Sequence, residues 1–237
     1  MDTASLYKHL RLCLAASIIA FSIHPIRADD CGYGGLTTEW VSGKVLVLVW
    51  EGKVNSAMEG TVRAAFRKAA SEVDELLVVL NSCGGDGIAM RQTVGTLRDI
   101  KKTHQLVTLV RRGDKCGSAC IPIFLQGSER LGALTSVWLF HQMHVADLNP
   151  DSVEWKVDDK RTNDAIRDYF IPAGVSRKWI KTLKREIAGN DYWQTGADLW
   201  HRRSGIITRP IGNSVERMDL PPIYFAPVVM CGAMCRG

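Results

Sequence analysis

Three short stretches carry residue types that can do chemistry together: "SCGGDG" (82–87), "KCGSAC" (115–120) and "FHQMH" (140–144). A serine hydroxyl such as Ser118 becomes a nucleophile only when a base takes its proton and donors meet the negative charge it creates. His141 is a base of the right kind. The Gly84–Gly85 pair supplies backbone N–H groups that no side chain shields, and a residue opening a helix offers further free N–H groups and the positive end of the helix dipole. The competing readings are a serine that only caps a helix and a histidine satisfied in a core. A third is zinc, held by Cys116, Cys120, His141 and His144. The three-residue gaps match no common finger, and an oxidising compartment disfavours free thiolates, so no metal and no cofactor is expected.

These residues need strands and helices to position them. KVLVLVW (44–50), ELLVVLN (75–81), LVTLV (106–110) and VWLF (137–140) are short apolar runs that read as strands. Between them, Met58, Val62, Phe66, Ala69 and Val73 set one stripe along a helix from about Ser56 to Asp74. Met90, Val94, Leu97 and Ile100 mark a second helix, and SACIPIFLQG a third. Strands that are continuously apolar and separated by single helices predict a mostly parallel α/β sheet with both faces covered. From Asp151 to about Gly205 the pattern reads helical, with a charged helix carrying Trp155, Val157, Ala165 and Ile166 and another on Trp179, Ile180, Leu183 and Ile187. A last strand is expected at GIITR (205–209). Trp50, Trp155 and Trp179 are expected in the core.

Residues 1–28 have the layout of a secretory signal: Lys8 and Arg11, the apolar run 12–23, and Ala28 at the cut. An uncleaved anchor is the alternative, since Ile26 stands where a small residue is usual. The mature chain then has a lead segment at 29–43, one domain at 44–209 and an irregular tail at 210–237, and it is expected in the periplasm or secreted. Removal of the signal lowers the formal charge from +5 to +3 and leaves six cysteines: Cys31, Cys83, Cys116, Cys120, Cys231 and Cys235. An even number suits disulfide bonding. Cys116 pairs with Cys120, or one of them reaches Cys83; Cys231 and Cys235 pair with each other or with Cys31. Basic residues are scattered apart from "RKWIKTLKR" (177–185), a solvated helix face, so no nucleic-acid partner is expected.

Taken in order, "VVLNSCGGDG", "GSAC" and "WLFHQ" resemble three blocks of the Clp protease proteolytic subunit, ClpP: a strand with Asn-Ser-Pro-Gly-Gly, a serine opening a helix, and a strand ending in His-Gln. The resemblance covers roughly 44–209. It implies a ClpP/crotonase-like spiral of ββα units and a peptidase acting on peptide or protein substrates, with Ser118 as nucleophile, His141 as general base, and the N–H groups of Gly85 and Ala119 as the oxyanion hole. The third triad member it implies is Asp191, with Asp198 and Glu186 as fallbacks. Cys83, Ala119 and Met143 depart from the family pattern of proline, methionine and proline. Segments for a seven-membered ring or an ATP-driven unfoldase are not recognisable, so an ATP-independent enzyme is expected, and a homo-oligomer is left open. The alternatives are a binding protein on the same fold, a crotonase-type acyl-CoA enzyme, for which "FHQ" is the wrong block, and a Ser-Lys dyad whose lysine the sequence does not place.

Overall fold

Val45–Glu51 (β2), Glu75–Asn81 (β3) and Gln105–Val110 (β4) have interiors buried on both faces, as continuously apolar strands require. Each such fully buried Val or Leu contributes about 1.5–3 kcal/mol. The computed structural model describes residues 31–149 and 152–212. Its central sheet has the order β1-β2-β3-β4-β6-β11, where β1 is Gly35–Ser42, β6 is Glu129–Ala133 and β11 is Arg209–Ile211. β1 is antiparallel to β2 and every other pairing is parallel.

The helices α1 (Ala57–Ala69), α2 (Gly87–Ile100), α3 (Cys120–Phe124) and α5 (Arg177–Glu186) contribute to the larger hydrophobic cluster with Leu46, Leu48, Trp50, Leu76, Val78 and Leu80. The opposite sheet face carries a smaller cluster with Val47, Val49, Leu77, Val79 and Leu131. A second sheet, β10-β7-β5, is built from Lys115–Gly117 (β5), Val137–Phe140 (β7) and Tyr192–Thr195 (β10). His144–Asn149 (β8) and Ser152–Val157 (β9) form a separate antiparallel hairpin. Asp159–Ala165 (α4) runs into a π-helical turn, Ile166–Phe170, and Gly196–His201 is α6.

Several expectations change. The lead segment contains β1, whose Trp40 packs on the sheet. The last strand lies at 209–211 rather than 205–209, because Pro210 sits on a sheet edge where its missing N–H costs no ladder bond. VWLF joins the small sheet, and the central position goes to β6, whose Gly-containing ERLGA lacks a strong apolar pattern. Trp155 is not core: it lies on β9 and is 69% exposed, whereas Trp50 and Trp179 are 1% and 4% exposed. A helical periodicity over 155–166 fails because Asp158 caps α4, accepting from the Arg161 N–H, which starts the helix after Val157. Cys31 is bonded to Cys83, and Cys116 to Cys120. The Cys116–Cys120 clip is the first of the two expected pairings, whereas Cys83 reaches neither of its expected partners and bonds Cys31 instead, because the lead segment runs beside the end of β3; Cys231, Cys235 and the signal-like segment lie outside the described residues.

Candidate active site

The small sheet is what brings the chemistry-bearing residues together. β3 continues past Asn81: Ser82 bridges Cys116 of β5, its N–H donating to the Lys115 carbonyl (2.8 Å) while the Gly117 N–H donates to the Ser82 carbonyl (3.0 Å). β5 is parallel to β7, with Gly117 opposite Leu139, and the Ser118 N–H donates to the Leu139 carbonyl at 2.9 Å. On the other edge of β7 runs β10, antiparallel, with Tyr192 opposite Phe140. The ladder ends at that pair, and Asp191 and His141 are the next residues along the two chains. The glycine turn, Ser118 and His141 thus lie on adjacent chain segments, and Asp191 precedes the strand on the far side of β7.

The turn at Ser118 is held from both sides. The Cys116–Cys120 bridge spans it, and Ser118 has φ +50°, a left-handed conformation that among the described non-glycine residues only Arg203 shares. Such strain persists only where the surroundings enforce it. Gly84 is pressed against the turn: a Cβ there would stand 2.6 Å from the Ser118 Cβ and 2.8 Å from the Gly117 carbonyl oxygen, and its φ of +106° suits only glycine. Asp86 then caps α2, accepting from the Ala89 N–H at 2.6 Å, and its own N–H donates to the Val54 carbonyl at 2.9 Å. The N–H groups of Gly85 and Ala119 take no part in the turn and cap hydrogen bonds that fix these two loops. α3 is only five residues long, so donation by these two amides, more than a helix dipole, would have to stabilise an oxyanion.

His141 is half-buried, and its Nδ1 lies 2.5 Å from the Gln142 carbonyl oxygen. A carbonyl only accepts, so Nδ1 carries the hydrogen and Nε2 keeps the lone pair a general base needs. Sequence reasoning missed the part Gln142 plays. Its side chain donates to Asp159 Oδ1 (2.5 Å) and accepts from the Gly189 N–H (2.7 Å), tying the strand end that carries His141 to the loop that leads to Asp191. The block "HQ" is the only signal of it in the sequence. Asp191 itself is exposed. The two fallback carboxylates are engaged elsewhere: Glu186 pairs with Arg185 at 2.7 Å, and Asp198 closes a capping box with Thr195, whose hydrogen bond holds the Asp198 carboxyl below the usual carboxylate range. His144 is exposed, its ring 5.4 Å from that of His141.

A second unforeseen support is Asp114. It is 1% exposed and bonded to the Arg111 Nε at 2.6 Å. Its backbone carbonyl accepts from the Val137 N–H at 2.9 Å, which fixes the start of β5 against β7. Burial pushes its carboxyl up, against the opposing pull of the Arg111 charge.

Ser118, Ala119 and His141 line a cleft of about 500 Å³, its mouth included. The rest of the wall is mainly apolar, with Met90, Ile121, Ile166, Phe170, Leu183 and Ile187. Among the residues that line it His141 is the one histidine, and no lysine, aspartate or glutamate is among them.

No protein-family model and no curated protein sequence matches the chain. Among solved structures, a mutant of the 1510-N membrane-bound stomatin-specific protease matches with a TM-score of 0.56 and 16% identity, over 70% of this chain and 78% of that one. A mutant of ClpP1 from Listeria monocytogenes matches with a TM-score of 0.49 and 16% identity, over 72% and 92%. The fold is ClpP-like. Within it the mostly parallel central sheet and the short second sheet are the scaffold, and the ClpP-like fold by itself leaves the chemistry to the residues just placed.

Proposed function

We propose that the protein is an ATP-independent serine peptidase. Ser118 Oγ attacks the scissile carbonyl while His141 Nε2 takes its proton. The oxyanion is met by the Gly85 and Ala119 N–H groups, and collapse of the intermediate passes the proton to the leaving amine. Water, activated by the same imidazole, then releases the acyl group. Asp191 stabilises the imidazolium from across the β7–β10 ladder. The apolar wall of the cleft accepts an apolar substrate side chain. The two disulfides support a periplasmic or secreted setting, and among the described residues no helix is long and apolar enough to cross a membrane.

The observation that carries this reading is positional: Ser118 and His141 end two neighbouring parallel strands and face one apolar cleft in which His141 is the one available base. A fluorophosphonate probe tests it. Covalent labelling of the purified protein that vanishes in Ser118→Ala is the expected result. Absence of labelling in the native chain, under conditions that label a control serine hydrolase, refutes it. Labelling retained in His141→Ala would pass the role of base to another group.

A further inference from the structure

A second groove, of about 670 Å³ with its mouth, lies where α2 and α3 end and the π-helical turn gives way to Ala173. Three cations, Arg98, Lys101 and Arg130, line it together with the hydroxyl residues Ser128 and Tyr169, and no Asp or Glu does. Among the described residues none of the three makes a salt bridge. Arg130 is 6% exposed, and its guanidinium donates to four carbonyls, those of Gly127, Ala173, Gly205 and Ile206, at 2.8–3.2 Å. A charge that far out of water ordinarily has a charged partner. Arg98 donates through Nε to Gln126 Oε1 (3.0 Å) and through Nη2 to the Asp168 carbonyl (2.8 Å), and it lies over the Tyr169 ring, 5.6 Å from its centroid. The Asp168 carboxylate is taken by Arg167. Lys101 Nζ donates to the Gln126 carbonyl at 3.0 Å.

The three heads are therefore assembled by neutral acceptors, against their mutual repulsion. Burial, then the charges of Arg130 and Arg98, lower the Lys101 ammonium from its ordinary value. The end of α2 accounts for two of these cations through the helix dipole, but not for Arg130, which belongs to β6. Counting N–H groups, two remain on Lys101, one on Arg130 and three on Arg98, and the hydroxyls of Ser128 and Tyr169 stand beside them. Three positive charges, with the free guanidinium fork of Arg98 among them, match a dianionic tetrahedral group better than a single carboxylate.

We propose that this groove is a binding site for a phosphoryl group, carried by a soluble phosphate compound or by a lipid headgroup. It is independent of the hydrolase reading, since the groove and the Ser118 cleft share no lining residue. Calorimetric titration of the full-length chain with inorganic pyrophosphate, and co-sedimentation with phosphatidylcholine vesicles containing phosphatidic acid, test it against Arg98→Gln/Lys101→Gln. Losing two charge-assisted contacts should weaken binding by about tenfold or more, while the charge-keeping Arg98→Lys/Lys101→Arg retains most of the affinity. Thermal melts confirm that the variants fold, and Lys101→Gln alone serves if the double variant does not. Pyrophosphate binding that follows this pattern supports a soluble ligand, and vesicle binding alone that follows it supports a headgroup. No binding of either probe overturns the proposal, as does binding that the charge-removing variants leave unchanged.

Discussion

Ser118 sits in a conformation that its side chain does not favour, and it is held there by two backbone neighbours, the Leu139 carbonyl and the Gly84 turn, and by the bridge between its flanking cysteines. The same scale decides between the carboxylates. If Asp191 stabilises the imidazolium as proposed, Asp191→Asn should lower kcat by roughly 10²–10⁴-fold with KM nearly unchanged. Glu186→Gln and Asp198→Asn should keep most activity, because their carboxylates serve Arg185 and the Thr195 cap. Steady-state kinetics on one peptide ester substrate compares all three; an Asp198→Asn enzyme as impaired as Asp191→Asn would reverse the assignment. Ser118→Ala should cost about a thousandfold or more by the same assay.

At the scale of elements, α6 offers a pH test. The Thr195 hydrogen bond lowers the folded-state pKa of Asp198. A lowered carboxylate pKa means that folding gains stability above the unfolded-state value, near 3.9, and loses it as pH falls toward the folded one. Asp198→Asn should accordingly lower stability by roughly 0.5–2 kcal/mol at pH 7, and the gap between the two melting curves should close as pH drops below about 4. A gap that persists unchanged at low pH would assign the cap another source of strength. The elements also show what a one-dimensional pattern can reveal. β2, β3 and β4 are legible because burial on both faces forces an unbroken apolar run, His141 because it follows such a run, and Ser118 because it stands at the head of the apolar stretch ACIPIFL. β5, KCG, is held by two hydrogen bonds with Ser82 and by the Asp114 loop, contacts that are invisible until the chain is folded. Trp155 and Val157 mimic helical spacing with Ala165 and Ile166 although they belong to the β8–β9 hairpin, which ends just before Asp158 caps α4. The part played by Gln142 rests on partners 17 and 47 residues away.

For the molecule as a whole, the two bridges differ in what they constrain. Cys31–Cys83 closes a separation of 52 residues and Cys116–Cys120 one of only 4. By loop-closure entropy they should contribute about 4 and about 2 kcal/mol. Denaturant melts of Cys31→Ala/Cys83→Ala and Cys116→Ala/Cys120→Ala should show the larger loss in the first; the reverse order would mean that the short bridge acts chiefly on the folded state. The exposed bridge partner and the sealed one also differ, since Cys116 and Cys120 have no surface in contact with water while Cys31 and Cys83 are partly open. Gly85 follows Cys83 by two residues, and Ala119 lies between Cys116 and Cys120. Each donor of the proposed oxyanion hole is thus close in sequence to a bridged sulfur, and closing both bridges removes four electrons and four protons from the chain. A newly made polypeptide in which these four cysteines are still thiols carries Ser118 and His141 but lacks the two ties beside the proposed donors, so on this reading the redox poise of its surroundings reaches into the site itself.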